Sequence, residues 1–391
     1  MRLLFIVSLI LNSLIAKEID SYLSNLYKEM FNLELKKSEV QKNYNSLSWL
    51  SPIMLSFERS WSNQIDGGWN PNSIFSIGIE QPIFKSGGIY YGIKYAKSNY
   101  ALTYANTIKE RAKLNSSALG LLYQIKQTNL SIKKLKLQVK NVNIEVKVAK
   151  ELFNAGLVDS IYLDDALLKE SEANIALINL ESTLQDLKAQ YQKIGKRGVK
   201  SKLPKLKMLS LEEFLRRNSD ISVAKAKALS SRYYAKMIKS KHLPTISVGA
   251  RYTKLSHPTP PAKDAFTNYS LKVSMPISVN RGNEIEVAKL DSLISSLKVK
   301  TTLVEQKATY RAIKKRVNLI DKKIAFAKKE ARAYKRILRD TINLYHSGQK
   351  SIEDVNLLKN SLEIKRLDIK IYKVQKNLEI LKLYERVKDV I

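Results

Sequence analysis

The sequence predicts a mainly α, internally duplicated fold with a β-barrel portion. Long antiparallel coiled-coil helical hairpins alternate with four strands per chain, each long enough to cross a bilayer. Three observations carry this expectation: a repeat near 192 residues, period-2 alternation in four short segments, and heptad seams over most of the rest. Composition agrees. The 391 residues include only 13 Gly and 9 Pro, no Cys, and 68 Lys and Arg against 36 Asp and Glu. Few breakers favour long helices. Without Cys there is no disulfide framework, thiolate metal site or thiol nucleophile.

The chain opens with Met1-Arg2, an apolar run from Leu3 to Leu11, and Ala16 before Lys17-Glu18. A positive start and a short apolar stretch predict a secretory signal peptide over 1–16. The run is too short to span a bilayer, and no later segment approaches about 18 consecutive apolar residues. A buried N-terminal helix is the competing reading.

The duplication follows. Ser51-Pro52-Ile53-Met54-Leu55-Ser56 aligns with Leu243-Pro244-Thr245-Ile246-Ser247, and Phe153-Asn154-Ala155-Gly156 with Tyr345-His346-Ser347-Gly348. Both pairs are 192 residues apart. Gln81-Pro82-Ile83-Phe84 matches Met275-Pro276-Ile277-Ser278 after a two-residue change, and Gly88 and Gly282 each follow six residues after the Pro. One coincidence of Pro or Gly is chance; a series in the same order is not. The predicted repeats are 17–209 and 210–391. The first holds an N-terminal helix, a strand hairpin over 52–83, a helical hairpin over 88–195 and a linker over 196–209. The second holds a helix over 211–241, a strand hairpin over 244–276 and a helical hairpin over 283–390.

Each hairpin alternates. Ile53, Leu55, Phe57 and Trp61 interleave with Met54, Ser56, Glu58 and Ser60; Phe75, Ile77 and Ile79 interleave with Ser76, Gly78 and Glu80. In the second half Ile246, Val248, Ala250 and Tyr252, then Tyr269, Leu271, Val273 and Met275, do the same. Asp66-Gly67-Gly68 and Pro258 to Pro261 supply the turns. Segments of about ten residues match a tilted transmembrane strand. A half-buried hairpin of a soluble domain fits the same alternation. Trp49, Trp61, Trp69, Tyr90 and Tyr91 sit near strand ends, where aromatics form interfacial belts; packing is the plainer role.

The helices step by three and four: Ile132, Leu135, Val139, Val142, Val146, Ala149; Leu177, Leu180, Leu184, Leu187; Ile313, Val317, Ile320, Ile324, Ala327; Leu367, Ile371, Val374, Leu378, Leu381. A period of 3.5 keeps one stripe facing a neighbour along a left-handed supercoil. Gly88 to Phe153 makes about 100 Å of helix. Its return comes in two pieces, 159–195 and 211–241, parted by Gly195-Lys196-Arg197-Gly198 and Pro204. The second return, 351–390, is completed by the helix over 18–47.

These residues resemble the TolC-like outer membrane efflux proteins. The resemblance rests on Pro52 and Pro244 opening strands, Gln81-Pro82-Ile83-Phe84 before Gly87-Gly88, and the turns at Gly156 and Gly348. Tyr345, Gly348, Asp354, Val355 and Leu358 partly follow the family's turn pattern, as do Phe153, Gly156, Leu163 and Ala166. Asn218-Ser219-Asp220-Ile221 is similar to the family's Asn-Pro-Glu segment with Ser for Pro. The resemblance implies a homotrimer, twelve strands in one barrel, and a helical tunnel through the periplasm. Four strands alone close no barrel, since about eight is the working minimum, and open edges are not viable in lipid. The implied role is a passive exit duct in the bacterial outer membrane, embedded in outer-membrane lipid. A periplasmic adaptor and an inner-membrane transporter, of a tripartite efflux or type I secretion system, load it.

The resemblance also assigns residues. An acid six positions after the turn Gly lines the family's closed aperture. Asp354 holds that position after Gly348; Tyr162 holds it after Gly156, with Asp164 and Asp165 close by. Repeated three times, Asp354 makes a carboxylate ring that favours cations, and Lys350 is placed to pair with a neighbouring acid and latch the tip. The local alternative for Asp354 is the last residue of a Ser351-x-x-Asp354 capping box. For Asp164 and Asp165 it is the preference for acids in a first helical turn. Gly156 and Gly348, with Phe153 and Tyr345 before them, supply either a left-handed helix end or a close-packing surface for an adaptor. Pro52, Pro82, Gly88, Pro244, Pro276 and Gly282 mark the strand–helix junctions.

Other classes fit less well. Lys and Arg spread along all the helices rather than clustering as a nucleic-acid module would require, so no nucleic-acid partner is expected. His242, His257 and His346 have no metal-ligand spacing, and no catalytic or phosphate-binding motif is present. No enzyme, metal or cofactor is therefore expected. A periplasmic coiled-coil adaptor shares the helical hairpins but not the duplication.

Overall fold

The structure, a computed structural model, describes residues 22–62, 69–196, 203–256 and 263–388. The predicted signal 1–16, the turns at Asp66-Gly67-Gly68 and Pro258–Pro261, and the breaker Arg197-Gly198 lie outside the described residues. The element order is α1 (Asn25–Leu47), β1 (Met54–Ser62), β2 (Asn70–Phe84), α2 (Gly88–Asn154) and α3 (Ser160–Ile194). Then come α4 (Leu211–Arg217), α5 (Ser219–Lys241), β3 (Thr245–Leu255), β4 (Ala265–Ser274), α6 (Arg281–His346) and α7 (Ile352–Tyr384). No helix among the described residues is long and apolar enough to cross a membrane. The chain divides into two compact units, each with pieces of both predicted repeats.

The first unit spans Met1–Phe31, Ile108–Ser219 and Val304–Ile391, and its named elements are helices. Its helices lie side by side in the order α3, α2, α7, α6. Lys136 of α2 reaches Glu181 of α3 at 3.3 Å. Lys134 of α2 reaches Asp368 of α7 at 2.8 Å, and Asn360 of α7 donates to Asn141 of α2 at 2.8 Å. Lys365 and Lys376 of α7 reach Glu330 and Asp321 of α6 at 3.2 and 2.7 Å. The heptad residues fill the seams: Ile132, Val146 and Ala149 of α2, Ile313, Val317 and Ile324 of α6, and Leu367, Ile371 and Val374 of α7 are buried. Phe214 of α4 is fully buried in the main core with Leu119, Tyr123, Tyr310 and Leu383.

One expectation is corrected in this unit. The helix predicted over 211–241 breaks at Asn218, whose φ of −66° and ψ of 123° are extended. Asn218 is fully buried, donates to Gln306 at 3.2 Å and forms an isolated bridge with Val387. The next amide, Ser219, donates to Arg386 at 2.8 Å. Tertiary pairing thus replaces a helical hydrogen bond, and α7 ends at Tyr384, short of the predicted 390, so that 386–388 can pair. A second bridge, Leu23 with Gly195, occupies the equivalent place in the first half. Of the helix predicted over 18–47, residues 18–21 lie outside the described residues, and the described helix begins at Asn25, after the Leu23 bridge.

The second unit spans Asn32–Thr107 and Asp220–Leu303. It contains one four-stranded antiparallel sheet in the order β1-β2-β3-β4. Leu55 pairs with Ile77, Ile77 with Tyr252, and Tyr252 with Thr267. Partners across a ladder share a face, so each register row fixes which side chains stand together. Leu55, Phe57, Phe75, Ile77, Ile79, Val248, Tyr269, Leu271 and Val273 fall on one face. Ser56, Glu58, Ser76, Glu80, Arg251, Thr253, Ser270 and Lys272 fall on the other. The apolar face is open: Leu55 is 66% exposed and Leu271 72%. The polar face is cross-linked by a Ser56–Ser76 hydrogen bond of 2.8 Å and a Lys272–Glu80 ion pair of 3.3 Å. Helices lie beside one another in the order α1, α2, α5, α6: Lys42 stands over the Tyr100 ring, Tyr95 packs on Tyr234, and Ser295 donates to Ser231.

The junction residues differ in what they do. Gln81 accepts from the Ser51 amide at 2.9 Å and donates to the Trp49 carbonyl at 3.1 Å, so it pins the entry to β1 against the end of β2. Pro82 lies inside β2 beside an irregularity in the ladder. Pro52 and Pro244 precede β1 and β3, and Pro276 follows β4. Gly88 begins α2, and a Cβ there would stand 3.2 Å from Ser240 Oγ; Gly282, the second residue of α6, stands in open space.

Candidate functional site: the paired helical tips

Two turns join the long helices of the first unit, one from α2 to α3 and one from α6 to α7. Their backbones match at an offset of 192. In the first, the amides of Gly156 and Leu157 donate to Phe153 and Leu152, both at 2.9 Å. In the second, Gly348 and Gln349 donate to Tyr345 at 3.0 Å and Leu344 at 2.9 Å. This bond pair closes a helix only when the penultimate residue is left-handed. Gly156 and Gly348 have φ of +70° and +74°, and a Cβ at either would meet no atom within 4 Å. The requirement is therefore conformational, not steric crowding. Phe153 and Tyr345, one turn earlier, are both exposed.

The returning helices start differently. Asp159 caps α3 by accepting from the Tyr162 amide at 3.0 Å. Ser351 caps α7 and forms a reciprocal box with Asp354: the Asp354 amide donates to Ser351 Oγ at 3.1 Å, and the Ser351 amide to Asp354 Oδ2 at 3.2 Å. Lys350 Nζ lies 3.6 Å from the same oxygen. Asp354 is thus turned back onto its own helix start. Tyr162, its counterpart, is exposed and carries no charge. Asp164 is exposed, and Asp165 pairs with Lys169 at 2.5 Å.

Two features were not read from the sequence. Asp159 is the first; projecting Ser351 back by 192 would have found it. The second is Lys147 of α2, which reaches Glu353 of α7 at 2.8 Å, with Glu151 at 3.8 Å. The hydrogen bond between them holds the Glu353 carboxyl below its usual range and the Lys147 ammonium above its own. This bridge ties the two hairpins beside the second tip. No group of His, Asp and Glu among the described residues is placed to hold a metal ion.

Residues 52–194 match the family profile described as outer membrane efflux protein. The whole fold matches solved channels. The outer membrane protein VceC of Vibrio cholerae is 14% identical, with 92% of each chain covered and a TM-score of 0.73. The CmeC outer membrane channel of Campylobacter jejuni is 14% identical, with 97% of this chain and 87% of that one covered and a TM-score of 0.73. The resemblance to the TolC-like outer membrane efflux proteins holds. A structure of the Neisseria gonorrhoeae MtrE channel in its open state is 15% identical, covering 94% of this chain and 90% of its own, with a TM-score of 0.57. None of the curated proteins matches in sequence. The profile stops within the first repeat, whereas the fold of the efflux channels extends through both.

Proposed function

We propose that three copies of this chain form an outer-membrane exit duct. In it a twelve-stranded barrel continues into a periplasmic helical tunnel, loaded by an adaptor and an inner-membrane transporter. The observation that carries this reading is the sheet. One face is apolar and exposed, the other is polar and ion-paired, and β1 and β4 are its open edges. An apolar face of this size in water is a liability, worth about 25 cal/mol per Å² of uncovered apolar surface. Lipid removes that cost, and joining β4 of one copy to β1 of the next removes the edges. The polar face then lines water. Trp61 and Trp69, exposed at the hairpin-loop end, suit the outer interface.

The tips form the inner mouth in this reading. Asp354 and Lys350 from three copies surround the opening, with Tyr162, Asp164 and Asp165 between them, and the Gly156 and Gly348 turns meet the adaptor. The chain moves cargo without chemistry of its own. The test is the purified outer-membrane fraction: a heat-modifiable trimer there, and single channels in planar bilayers whose cation selectivity falls in Asp354→Ala, are expected. A monomer in the periplasmic fraction overturns the duct. A selective channel unchanged by the substitution removes the ring and leaves the duct.

A further inference from the structure

The apolar face of the sheet carries two charges among its described strand residues, and both are positive. Arg59 of β1 shares that face with Leu55 and Phe57, and Lys254 of β3 stands opposite Phe75. The acids of the strands, Glu58 and Glu80, fall on the polar face with Arg251 and Lys272. Asp264 precedes β4, and its carbonyl accepts from the amide of Leu255, a residue of the polar face, at 2.7 Å. Arg59 and Lys254 are exposed, and among the described residues neither has a carboxylate partner; the Lys272–Glu80 ion pair lies on the other face. Arg59 instead holds its guanidinium carbon 5.4 Å from the centre of the Trp61 ring, on the same face, as a cation–π contact does.

Their depth is specific. Arg59 pairs with Ser73, and Ser73 exchanges two hydrogen bonds of 2.9 Å with Ser256, so Arg59 is level with Ser256. At about 3.3 Å per residue and a tilt of about 40°, Ile246 to Lys254 climbs about 20 Å and Ile246 to Ser256 about 25 Å. The apolar band of an outer-membrane barrel is about 25 Å tall. Both cations therefore stand at its hairpin-loop edge, and every strand residue below them on this face is uncharged. A cation on a lipid-facing strand is costly at mid-bilayer and tolerated at the boundary, where the stem lies along apolar surface and the head reaches the headgroups. Two strand spacings and one row separate the pair, about 12 Å between Cα atoms. That is comparable to the length of a disaccharide with a phosphate at each end.

We infer that Arg59 and Lys254 form a binding site for the headgroup of a phosphorylated glycolipid in the outer leaflet, one cation to each phosphate, with the acyl chains lying on the apolar rows below. The inference rests on the proposed duct, which puts this face in lipid and the hairpin loops outside, and it names the lipid. Charge selects the occupant: two cations without an acid on their face leave a zwitterionic headgroup with an unmatched positive end, whereas a diphosphorylated one matches both. Arg59 supplies a planar fork suited to phosphate and is steadied by the Trp61 ring. Lys254 supplies a point charge on a flexible stem.

The test is a titration of the purified full-length trimer, in neutral detergent, with fluorescent diphosphoryl lipid A. Arg59→Gln/Lys254→Gln is expected to bind about thirtyfold more weakly, since each Lys or Arg at an anionic surface contributes a factor of roughly five. Arg251→Gln/Lys272→Gln removes the same charge from the other face and is expected to bind as the unsubstituted chain does. Equal binding by the first variant overturns the site, and an equal loss in the second reduces it to net charge and overturns it too. Monophosphoryl lipid A is expected to bind about fivefold more weakly; equal binding of the two forms overturns the two-point contact. Displacement by millimolar inorganic phosphate means a free-anion site and overturns the lipid assignment. Should the double variant yield no trimer, Lys254→Gln alone, expected about fivefold weaker, carries the test. A heat-modifiable trimer that binds no lipid A overturns the site and leaves the duct standing. Absence of any trimer from the outer membrane overturns both.

Discussion

The two helical tips share a backbone and differ in chemistry. Both close with a left-handed Gly and the same pair of amide bonds, at φ +70° and +74°. Beyond the turn they part. The first has a lone Asp159 cap and an uncharged Tyr162. The second has a reciprocal Ser351–Asp354 box, Lys350 against the same carboxylate, and Glu353 held to the neighbouring hairpin by Lys147. The turn geometry is thus shared, while the acids are placed differently: Asp159, Asp164 and Asp165 follow the first turn, and Glu353 and Asp354 follow the second. Geometry is set by backbone hydrogen bonds that any divergence must keep, and charge is free to move because the surface there is exposed.

The largest effect expected from this comparison is symmetric. Val at Gly156 or Gly348 forces a β-branched residue into the left-handed region, at about 1–2 kcal/mol or more. Each substitution is expected to lower the thermal midpoint by a similar amount, read by calorimetry of the trimer. Unequal losses would mean that the two turns are not mechanically equivalent. Removing the caps comes next. Asp159→Ala and Ser351→Ala each cost roughly 1 kcal/mol of local helix stability, with Ser351→Ala the larger because it also removes the hydroxyl's own bond to Asp354 Oδ2 at 3.2 Å. Amide exchange at the first turns of α3 and α7 measures this, and equal protection loss would count against the box.

Much of the frame was legible in the sequence. The heptad stripes place α2, α3, α6 and the start of α7 to within a residue or two, because buried spacing and helical period are both local; the end of α7 at Tyr384 falls short of the predicted 390 because 386–388 pair with a distant segment. The strand faces were legible for the same reason. The break at Asn218 was not: Leu211 to Lys241 reads as one helix, and only pairing with Val387, far along the chain, overrides it. Nor was the Lys147–Glu353 bridge, whose partners lie 206 residues apart. The exposed apolar side chains of α3 and α6, Ile161, Leu168 and Ile175 on one and Leu319 and Phe326 on the other, show the deeper difficulty. A stripe such as Ile161, Leu168 and Ile175 has the same period whether it faces its own chain or another copy. Only the packing of the inner helices separates the two cases. At the tips, Ser351-x-x-Asp354 was readable as a box, whereas Asp159 was visible only by projecting the repeat.

The smallest effect expected is the pH response of the second tip, and its sign follows from the two partners. Glu353 has a carboxyl pKa lowered chiefly by the hydrogen bond from Lys147. Its contribution is full above the ordinary carboxylate value of about 4.3 and is lost as pH falls through the lowered one. Lys147 has a pKa raised chiefly by its hydrogen bond to Glu353. Its contribution is full below about 10.4 and is lost as pH rises through the raised value. The bridge is therefore intact across the neutral range and yields only in acid below the usual carboxylate range or in strong base. Spin labels on Leu157→Cys and Gln349→Cys, specific because the chain has no other Cys, report the separation of the two tips. Their distance is expected to stay constant from about pH 5 to 9 and to broaden below about pH 4. In Glu353→Gln it should be broad at every pH. Both groups are solvent-exposed, so screening by salt keeps the change small. A distance that shifts near neutral pH would assign the control of the tip to some group other than this bridge.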